Sequence, residues 1–168
     1  MNQSATGTLF MIDIQKGSLE ISRIFAANRT LVWRAWTEAD LLDQWWAPKP
    51  WRCETKHMDF REGGRWIYAM VGPNGERHGA VQRYSEILKE VFFRGEDAFA
   101  DEEGNINGLL PVATWENVFT DVVEGTLVKT FVQYPNPEAL QEVLNMGMEE
   151  GLKMAHGNLD EVLGDLVA

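Results

Sequence analysis

The chain has 168 residues, the size of one domain with a core of its own. Its 26 Asp and Glu residues outnumber 15 Lys and Arg residues, so the formal net charge at pH 7 is -11. This balance argues against a nucleic-acid partner and against docking on an anionic membrane, because both depend on clustered cations. The single cysteine, Cys53, rules out an intramolecular disulfide and fits a reducing compartment. Since the N-terminus lacks a signal-peptide pattern and no apolar run approaches about 20 residues, we expect a cytoplasmic protein without membrane insertion.

The N-terminal part divides at about residue 18. Residues 1–18 are small and polar around the apolar stretch LFMIDI, which predicts either a loose extension or an edge strand. The next stretch, SLEISRIF, alternates apolar and polar residues as a half-buried strand does. Because no repeat, low-complexity segment or linker interrupts residues 19–168, we expect them to form a single domain.

Two short helices are predicted after this strand. Asn28 is a suitable N-cap for the first, and apolar residues follow it at helical spacing. A second helix begins after Thr37 in the stretch TEADLLDQWWAPKPW, and the prolines end it. We expect Trp45 to pack into the core, and Trp46 and Trp51 to lie at the rim of an opening.

A run of strands follows the helices. RWIYAM places Trp66, Tyr68 and Met70 on one face at period two, and GPNGE predicts a hairpin turn. RHGAVQRYSEIL and EVFFRGE continue the sheet, and DEEGNINGLL predicts a polar, flexible connection. ATWENVFTDVVEGTLVKTFVQY predicts two antiparallel strands joined around Glu124 and Gly125.

The C-terminal part returns to a helical pattern. From Pro137 to Val167 an apolar stripe predicts one long helix with the proline in its first turn. Gly147 and Gly151 lie one turn apart, which we interpret as a place of tight packing against the sheet. Segregated strands and helices predict an α+β fold, in which a curved antiparallel sheet holds the long helix across its concave face. The space between them is either filled by rings or open to a ligand.

Four stretches together resemble one bacterial family, named after the activator of heat-shock protein 90 ATPase, within the START-like (SRPBCC) superfamily. They are VWRAWTEADLLDQWWAP, DFREGGRWIYAMVGPNGE, YSEILKEVF and MGMEEGLKMAHGNLDEVL, and the resemblance extends from about Leu19 onward. It implies a helix-grip fold like that of START domains and the birch-pollen allergen, with a sheet wrapped around the C-terminal helix and an internal cavity. Members of the superfamily bind lipids, hormones or polyketide-like molecules, and some branches are cyclases.

The chain departs from the family in two respects. The eukaryotic namesake carries a separate N-terminal domain that engages the chaperone, and residues 1–18 are too few to form one. Leu152 stands where the family often has an aromatic residue after the helix glycine. This difference is expected to open or reshape one end of the cavity.

Aromatic and apolar side chains of the strands and the terminal helix are the candidate lining of this cavity. Met146 and Met154 would add flexible apolar surface. The alternative is that the rings simply fill the core. The residues expected to contact a ligand are Trp46, Trp66, Tyr68, Met70, His78, Tyr84, Trp115, Phe119, Val128, Met148 and Leu152.

A few polar residues could support acid–base chemistry in the cavity. His78 and Asp59 are the catalytic candidates, and Glu116 and Tyr84 are further polar groups of interest. The alternative is that these groups face water or satisfy internal hydrogen bonds.

The remaining histidines and the cysteine carry weaker signals. His57 and Asp59 form an isolated His-x-Asp pair, which is too few ligands for zinc, so we expect no metal and no cofactor. His156 is expected at the surface of the terminal helix, and Cys53 as a small buried residue.

Three functions follow from the sequence and the resemblance. The first is non-enzymatic binding of a small hydrophobic or amphipathic molecule in the cavity, with a stress-related role. The second is a co-chaperone-type interaction with a heat-shock chaperone ATPase, and the third is a small-molecule cyclase or hydrolase. We expect the first, and a homodimer stays open as an alternative to a monomer.

Overall fold

The computed structural model describes residues 7–168, and its α+β architecture confirms the fold expected from the sequence. Residues 7–168 form eight strands and four helices, with one pair of helices after the second strand and the other pair after the last strand. The strands are β1 Leu9–Asp13, β2 Ser18–Phe25, β3 Arg52–Met58, β4 Arg65–Val71, β5 Arg77–Leu88, β6 Phe92–Phe99, β7 Ala113–Val122 and β8 Gly125–Gln133. The helices are α1 Arg29–Thr37, α2 Ala39–Trp45, α3 Pro137–Asn145 and α4 Met148–Val167.

All eight strands belong to one antiparallel sheet with the order β1-β2-β8-β7-β6-β5-β4-β3. Strands β3 to β7 follow one another as neighbours, whereas β8 returns to pair with β2. The two short helices occupy the crossover between β2 and β3, and α4 packs across the concave face against α1 and α2. This arrangement is the predicted helix-grip fold.

Helices α1 and α3 begin where the sequence predicts, whereas Thr37, predicted to open α2, is the last residue of α1 and Glu38 is the N-cap residue of α2. The Asn28 side chain accepts a hydrogen bond of 2.8 Å from the backbone N–H of Leu31, which caps α1. At the other end of the chain, Asn136 accepts one of 2.8 Å from the N–H of Ala139 and caps α3. Pro137 then fills the first position of α3, where no amide donor is needed.

The C-terminal helix differs from the prediction because it is broken into two. Gly147 adopts a left-handed backbone conformation with φ 89° between α3 and α4. The interpretation of Gly147 and Gly151 as a tight packing site is therefore wrong. A Cβ added at Gly151 would meet Pro48 at 3.8 Å, an ordinary contact, and one added at Gly147 would meet nothing within 4 Å.

The concave face of the sheet carries two separate apolar clusters. The first cluster packs α1, α2 and most of α4 against β4 to β7, and contains Trp33, Trp66 and Phe93. The second cluster packs α3 against β2 and the start of β7, and is centred on Leu19 and Leu140. Val132 is partly buried and packs against both clusters, so the two meet at β8.

The outer face is closed locally by the connection between β6 and β7. Ile106 and Val112 of this connection cover a small apolar cluster that includes Ile67 and Val81. The Asp101 carboxylate accepts hydrogen bonds from the backbone N–H groups of Glu103 and Asn105, at 3.0 and 2.9 Å. Within residues 7–168, no helix combines the length and apolarity required to cross a bilayer.

Candidate functional site

The inner face of the sheet is set by the strict alternation of side chains along its strands. On β4, Trp66 and Tyr68 point inward and stack on each other with ring centroids 4.0 Å apart. On β7, Trp115 and Phe119 point inward and are buried in the first cluster. Met70 follows on the same face of β4 and is partly buried. Period-two alternation thus places the predicted aromatic residues on one face of the sheet.

Asp97 lies on this inner face, between the two apolar clusters. It pairs in register with Gln82 on β5 and with Ala113 on β7. Its negative charge, together with the larger effect of burial, raises the pKa of both Tyr68 and Tyr134. Tyr68 belongs to the first cluster and Tyr134 to the second. The carboxylate is therefore close to the boundary at which the clusters meet.

The Asp97 carboxyl has no ion-pair or hydrogen-bond partner among residues 7–168, and burial alone raises its pKa to about 7. The residue nevertheless keeps partial access to solvent. Asp97 is thus an unpaired and poorly solvated carboxyl at the boundary between the clusters.

Several apolar residues packed against the two clusters are also partly accessible. Met148 and Leu152 on α4 pack against the second cluster and remain partly accessible. On the strands, Met70, Ala80 and Val132 do the same beside the first cluster. The boundary between the clusters is therefore lined on both the sheet side and the helix side.

The two adjacent tryptophans at the end of α2 differ in burial. Trp45 is 1% exposed, and its indole N–H donates a hydrogen bond of 2.9 Å to the carbonyl of Ala35. Trp46 is partly buried, packs edge-on against Trp66, and its indole N–H has no partner among the described residues. Trp115 has a similarly unpartnered indole N–H. Both indole N–H groups are enclosed by protein, and the Tyr68 hydroxyl lies beside Trp46.

Other predicted lining residues lie deeper in the first cluster. Tyr84 packs against Phe60 and Phe93, and its hydroxyl contacts the sulfur of Met58 at 3.6 Å. Phe119 and Val128 are buried where α1 covers the sheet. These residues are on the inner face, at the end of the sheet away from Asp97.

His78 and Asp59, the candidate catalytic residues, are not brought together. His78 is exposed opposite Met70 and packs edge-on against Trp51, with ring centroids 5.2 Å apart. Asp59 bonds through its backbone N–H to Arg65, at the other end of β4, and its carboxylate pairs with Arg61 at 2.7 Å. The length of β4 separates the two by roughly 16 Å.

Glu116, the third acidic candidate, lies on the outer face. It forms an ion pair of 2.6 Å with Arg94 in a groove of about 900 Å³ that runs across the outer surface from β1 to β5. Arg83 and Glu96 pair at 2.7 Å on the same face. Because these charged groups satisfy one another, this groove is a weaker candidate site than the interior.

His156 corrects the sequence prediction, because it is 3% exposed instead of lying at the surface. Its Nδ1 is 2.9 Å from the hydroxyl of Thr8, which also accepts a hydrogen bond of 2.8 Å from Arg23. Arg23 in turn pairs with Asp160 on the same helix as His156. The Thr8 hydroxyl can donate to Nδ1 while its oxygen accepts from Arg23. Burial lowers the pKa of His156 to about 3, and the nearby Arg23 adds to this effect.

Met146 and Met154 contribute little to the interior, since 52% and 47% of their surface is exposed. Among residues 7–168, no three His, Cys, Asp or Glu side chains converge as a metal ion requires. Cys53 is buried, as expected, and burial raises the pKa of its thiol.

Sequence reasoning missed Asp97, Gln82 and Tyr134. The pair Glu96-Asp97 presents two acids in succession, so charge alone does not show which of them faces inward. The available signal is the alternation of Phe93, Gly95 and Asp97, which continues the inner face beyond the predicted end of that strand.

Comparisons with known proteins agree with this architecture. The sequence matches the family described as activator of Hsp90 ATPase homolog 1-like protein over residues 26–164. A crystal structure of a Mycobacterium smegmatis protein is 34% identical with a TM-score of 0.86, covering 94% of this chain and 96% of that one. A solution structure from Arthrobacter aurescens is 27% identical with a TM-score of 0.87, covering 94% and 91%.

A more distant crystal structure, of the AHSA1 protein from Silicibacter pomeroyi, is 17% identical with a TM-score of 0.69, covering 88% of this chain and 97% of that one. At this identity the likeness concerns the fold alone. No curated protein sequence matches this chain.

Proposed function

The chain belongs to the activator of Hsp90 ATPase homolog 1-like family, and on this premise we propose that it binds a small amphipathic molecule between its sheet and helix α4. One feature of the interior carries this function. Along the boundary between the two apolar clusters, inward-facing residues of both the sheet and α4 keep partial access to solvent. This partial access leaves apolar surface on both sides of the boundary that a ligand can cover.

The apolar part of the ligand covers the accessible methionine, valine and leucine side chains at this boundary. Met70 and Val132 lie on the sheet side, and Met148 and Leu152 lie on the helix side. Removing their apolar surface from water contributes about 25 cal/mol per Å² to binding. A polar group of the ligand lies beside Asp97, the unpaired polar side chain at this boundary.

A titration with the neutral apolar fluorophore phenylnaphthylamine tests this function. We expect its emission to increase and shift to shorter wavelength on binding to the wild-type chain. Leu152→Trp places a large ring into the accessible boundary and should weaken binding by about tenfold or more, which corresponds to about 1.4 kcal/mol. Met154→Trp is the matched control, because this position lies on the same helix with 47% of its surface exposed.

Two results would contradict the proposal. One is the absence of any fluorescence change with the wild-type chain at saturating probe. The other is an equal affinity of both variants for the probe, provided that their melting temperatures show both to be folded. Probe bound elsewhere on the surface would give that second result.

A further inference from the structure

We propose that the molecule bound between the two clusters carries a cationic group, such as a protonated amine, that pairs with the carboxylate of Asp97. This inference rests on the proposed ligand-binding function and defines the chemical class of its ligand. It predicts selection for hydrophobic amines and against hydrophobic acids of the same shape.

The position of Asp97 places its carboxylate within reach of a ligand at the boundary. Gln82 and Ala113 flank it on the neighbouring strands, and neither provides a charge. Tyr68 and Tyr134 approach it from the two clusters and provide neutral hydroxyl groups. The surroundings are therefore polar enough to orient a ligand group, but they contain no countercharge.

Residues 7–168 supply no paired cation to Asp97. Among the residues described, the one buried cation is Arg23, and it is held by Asp160 and Thr8. Arg23 is also far from Tyr134, which lies near Asp97. The backbone N–H of Tyr134 donates to the carbonyl of Gly17, and Arg23 is six residues further along the chain through β2. That separation is roughly 20 Å along the strand. Arg23 is thus committed elsewhere and cannot neutralise Asp97.

An unpaired carboxylate in a poorly solvated place is costly, and a cation restores the lost stabilisation. Burial raises the pKa of Asp97 to about 7, so the group loses its proton readily once a cation lies beside it. A ligand carboxylate at the same place would instead face a like charge with no buried lysine or arginine to receive it. Charge at this position therefore separates amines from acids.

Three small molecules with one ring system test this selection: naphthylmethylamine, naphthylmethanol and naphthoic acid. Their dissociation constants would be measured by isothermal titration calorimetry at slightly alkaline pH, where the amine is protonated and Asp97 ionised. We expect the wild-type chain to bind the amine about tenfold or more tightly than the alcohol, and the acid most weakly. This part of the test needs no variant and so does not depend on whether a variant folds.

Two variants on β6 test whether the preference for the amine depends on Asp97. Asp97→Asn keeps the shape and removes the charge, so it should abolish the preference for the amine and leave the affinity for the alcohol within a factor of about two. Glu96→Gln is the matched control, because Glu96 is the neighbouring residue on the outer face and pairs with Arg83. It should leave all three affinities unchanged.

The outcomes distinguish the proposal of a cationic ligand from the proposal of ligand binding on which it rests. If the alcohol binds and the amine gains nothing, or if Asp97→Asn keeps the preference, the cationic ligand is wrong while ligand binding stands. If none of the three molecules binds, both proposals are wrong. Tighter binding of the acid than of the amine would overturn the inference directly.

Discussion

At the scale of single residues, two adjacent tryptophans have different roles because of one hydrogen bond. The indole N–H of Trp45 donates to the carbonyl of Ala35, in the last turn of α1. That carbonyl has no partner inside the helix, so the side chain completes the helix end. Trp46, one residue later, has no such partner among residues 7–168 and packs against the first cluster.

This difference predicts unequal effects of the same substitution. Trp45→Phe removes a buried hydrogen bond as well as part of a packed ring, whereas Trp46→Phe removes an unpartnered donor. We expect Trp45→Phe to lower the free energy of unfolding by about 1 kcal/mol more than Trp46→Phe does. Urea denaturation of both variants measures this difference, and equal losses would show that the hydrogen bond contributes nothing.

His156 gives a prediction with a definite sign in pH. Its pKa is about 3 in the folded chain, against an ordinary value of 6.5, because burial disfavours the charged imidazole and Arg23 repels it. Between these values the unfolded chain binds a proton that the folded chain does not. The stabilisation is therefore complete above pH 6.5 and is lost as the pH falls towards 3, by about 1.4 kcal/mol per pH unit.

The measurement compares urea unfolding of the wild-type chain and of His156→Asn between pH 7.5 and 5. Asparagine can accept the hydrogen bond from Thr8 without taking up a proton. The difference in unfolding free energy between the two proteins should shrink by about 2 kcal/mol on acidification to pH 5. A difference that stays constant with pH would mean that His156 titrates alike in the folded and unfolded chains.

At the scale of elements, the break between α3 and α4 depends on the backbone of one glycine. The backbone N–H of Gly147 bonds to the carbonyl of Leu144 at 3.0 Å, which ends α3, and its positive φ turns the chain into α4. Gly151, one turn later, lies inside α4 with a helical backbone. The two glycines look alike in the sequence and have opposite conformational requirements.

Replacing each glycine with alanine should therefore change stability in opposite directions. Gly147→Ala forces a side chain into the left-handed region and should cost about 1 kcal/mol or more. Gly151→Ala meets only an ordinary contact with Pro48 and should stabilise the chain by up to about 1 kcal/mol. Thermal unfolding of both variants gives the two signs, and a destabilised Gly151→Ala would indicate closer packing than the structure has.

The elements also show which structural features the sequence pattern can predict and which it cannot. Period two placed Trp66, Tyr68 and Met70 on the inner face, because side-chain alternation follows from strand geometry alone. The helix break was missed because a continuous apolar stripe does not record the sign of φ at Gly147. The burial of His156 was missed because its partners, Thr8 and Arg23, are distant in sequence and meet it only in the fold.

The same limit applied to the candidate site. Asp97 follows Glu96, and a pair of acids has no alternation to show which one faces inward. His78 and Asp59 were considered together because of their residue types, but β4 holds them at opposite ends. Sequence pattern therefore predicts which residues share a face, and tertiary register decides which of them meet.

At the scale of the whole molecule, two buried titratable groups act on stability in opposite directions. His156 lies where α4 packs against α1 and α2, whereas Asp97 lies between the two clusters. The pKa of Asp97 is raised from 3.8 to about 7, so the folded chain holds a proton that the unfolded chain releases between these values. Its contribution is complete below pH 3.8 and is lost as the pH rises towards 7. The unfolding free energy of the wild-type chain depends on pH through both groups, so only variants can separate the two contributions.

Comparing Asp97→Asn with the wild-type chain isolates the pH dependence of stability that Asp97 causes in the ligand-free protein. Groups around Asp97, namely Tyr68, Gln82 and Tyr134, carry no charge below pH 8, so the slope belongs to the carboxyl itself. We expect the variant to gain stability over the wild-type chain as the pH rises from 4 to 8, by more than about 1 kcal/mol. The outward-facing Glu96→Gln should show no such gain. If the two variants give parallel profiles, Asp97 is solvated like a surface acid, and the accessible boundary between the clusters is filled with bulk water instead of being an enclosed place for a ligand.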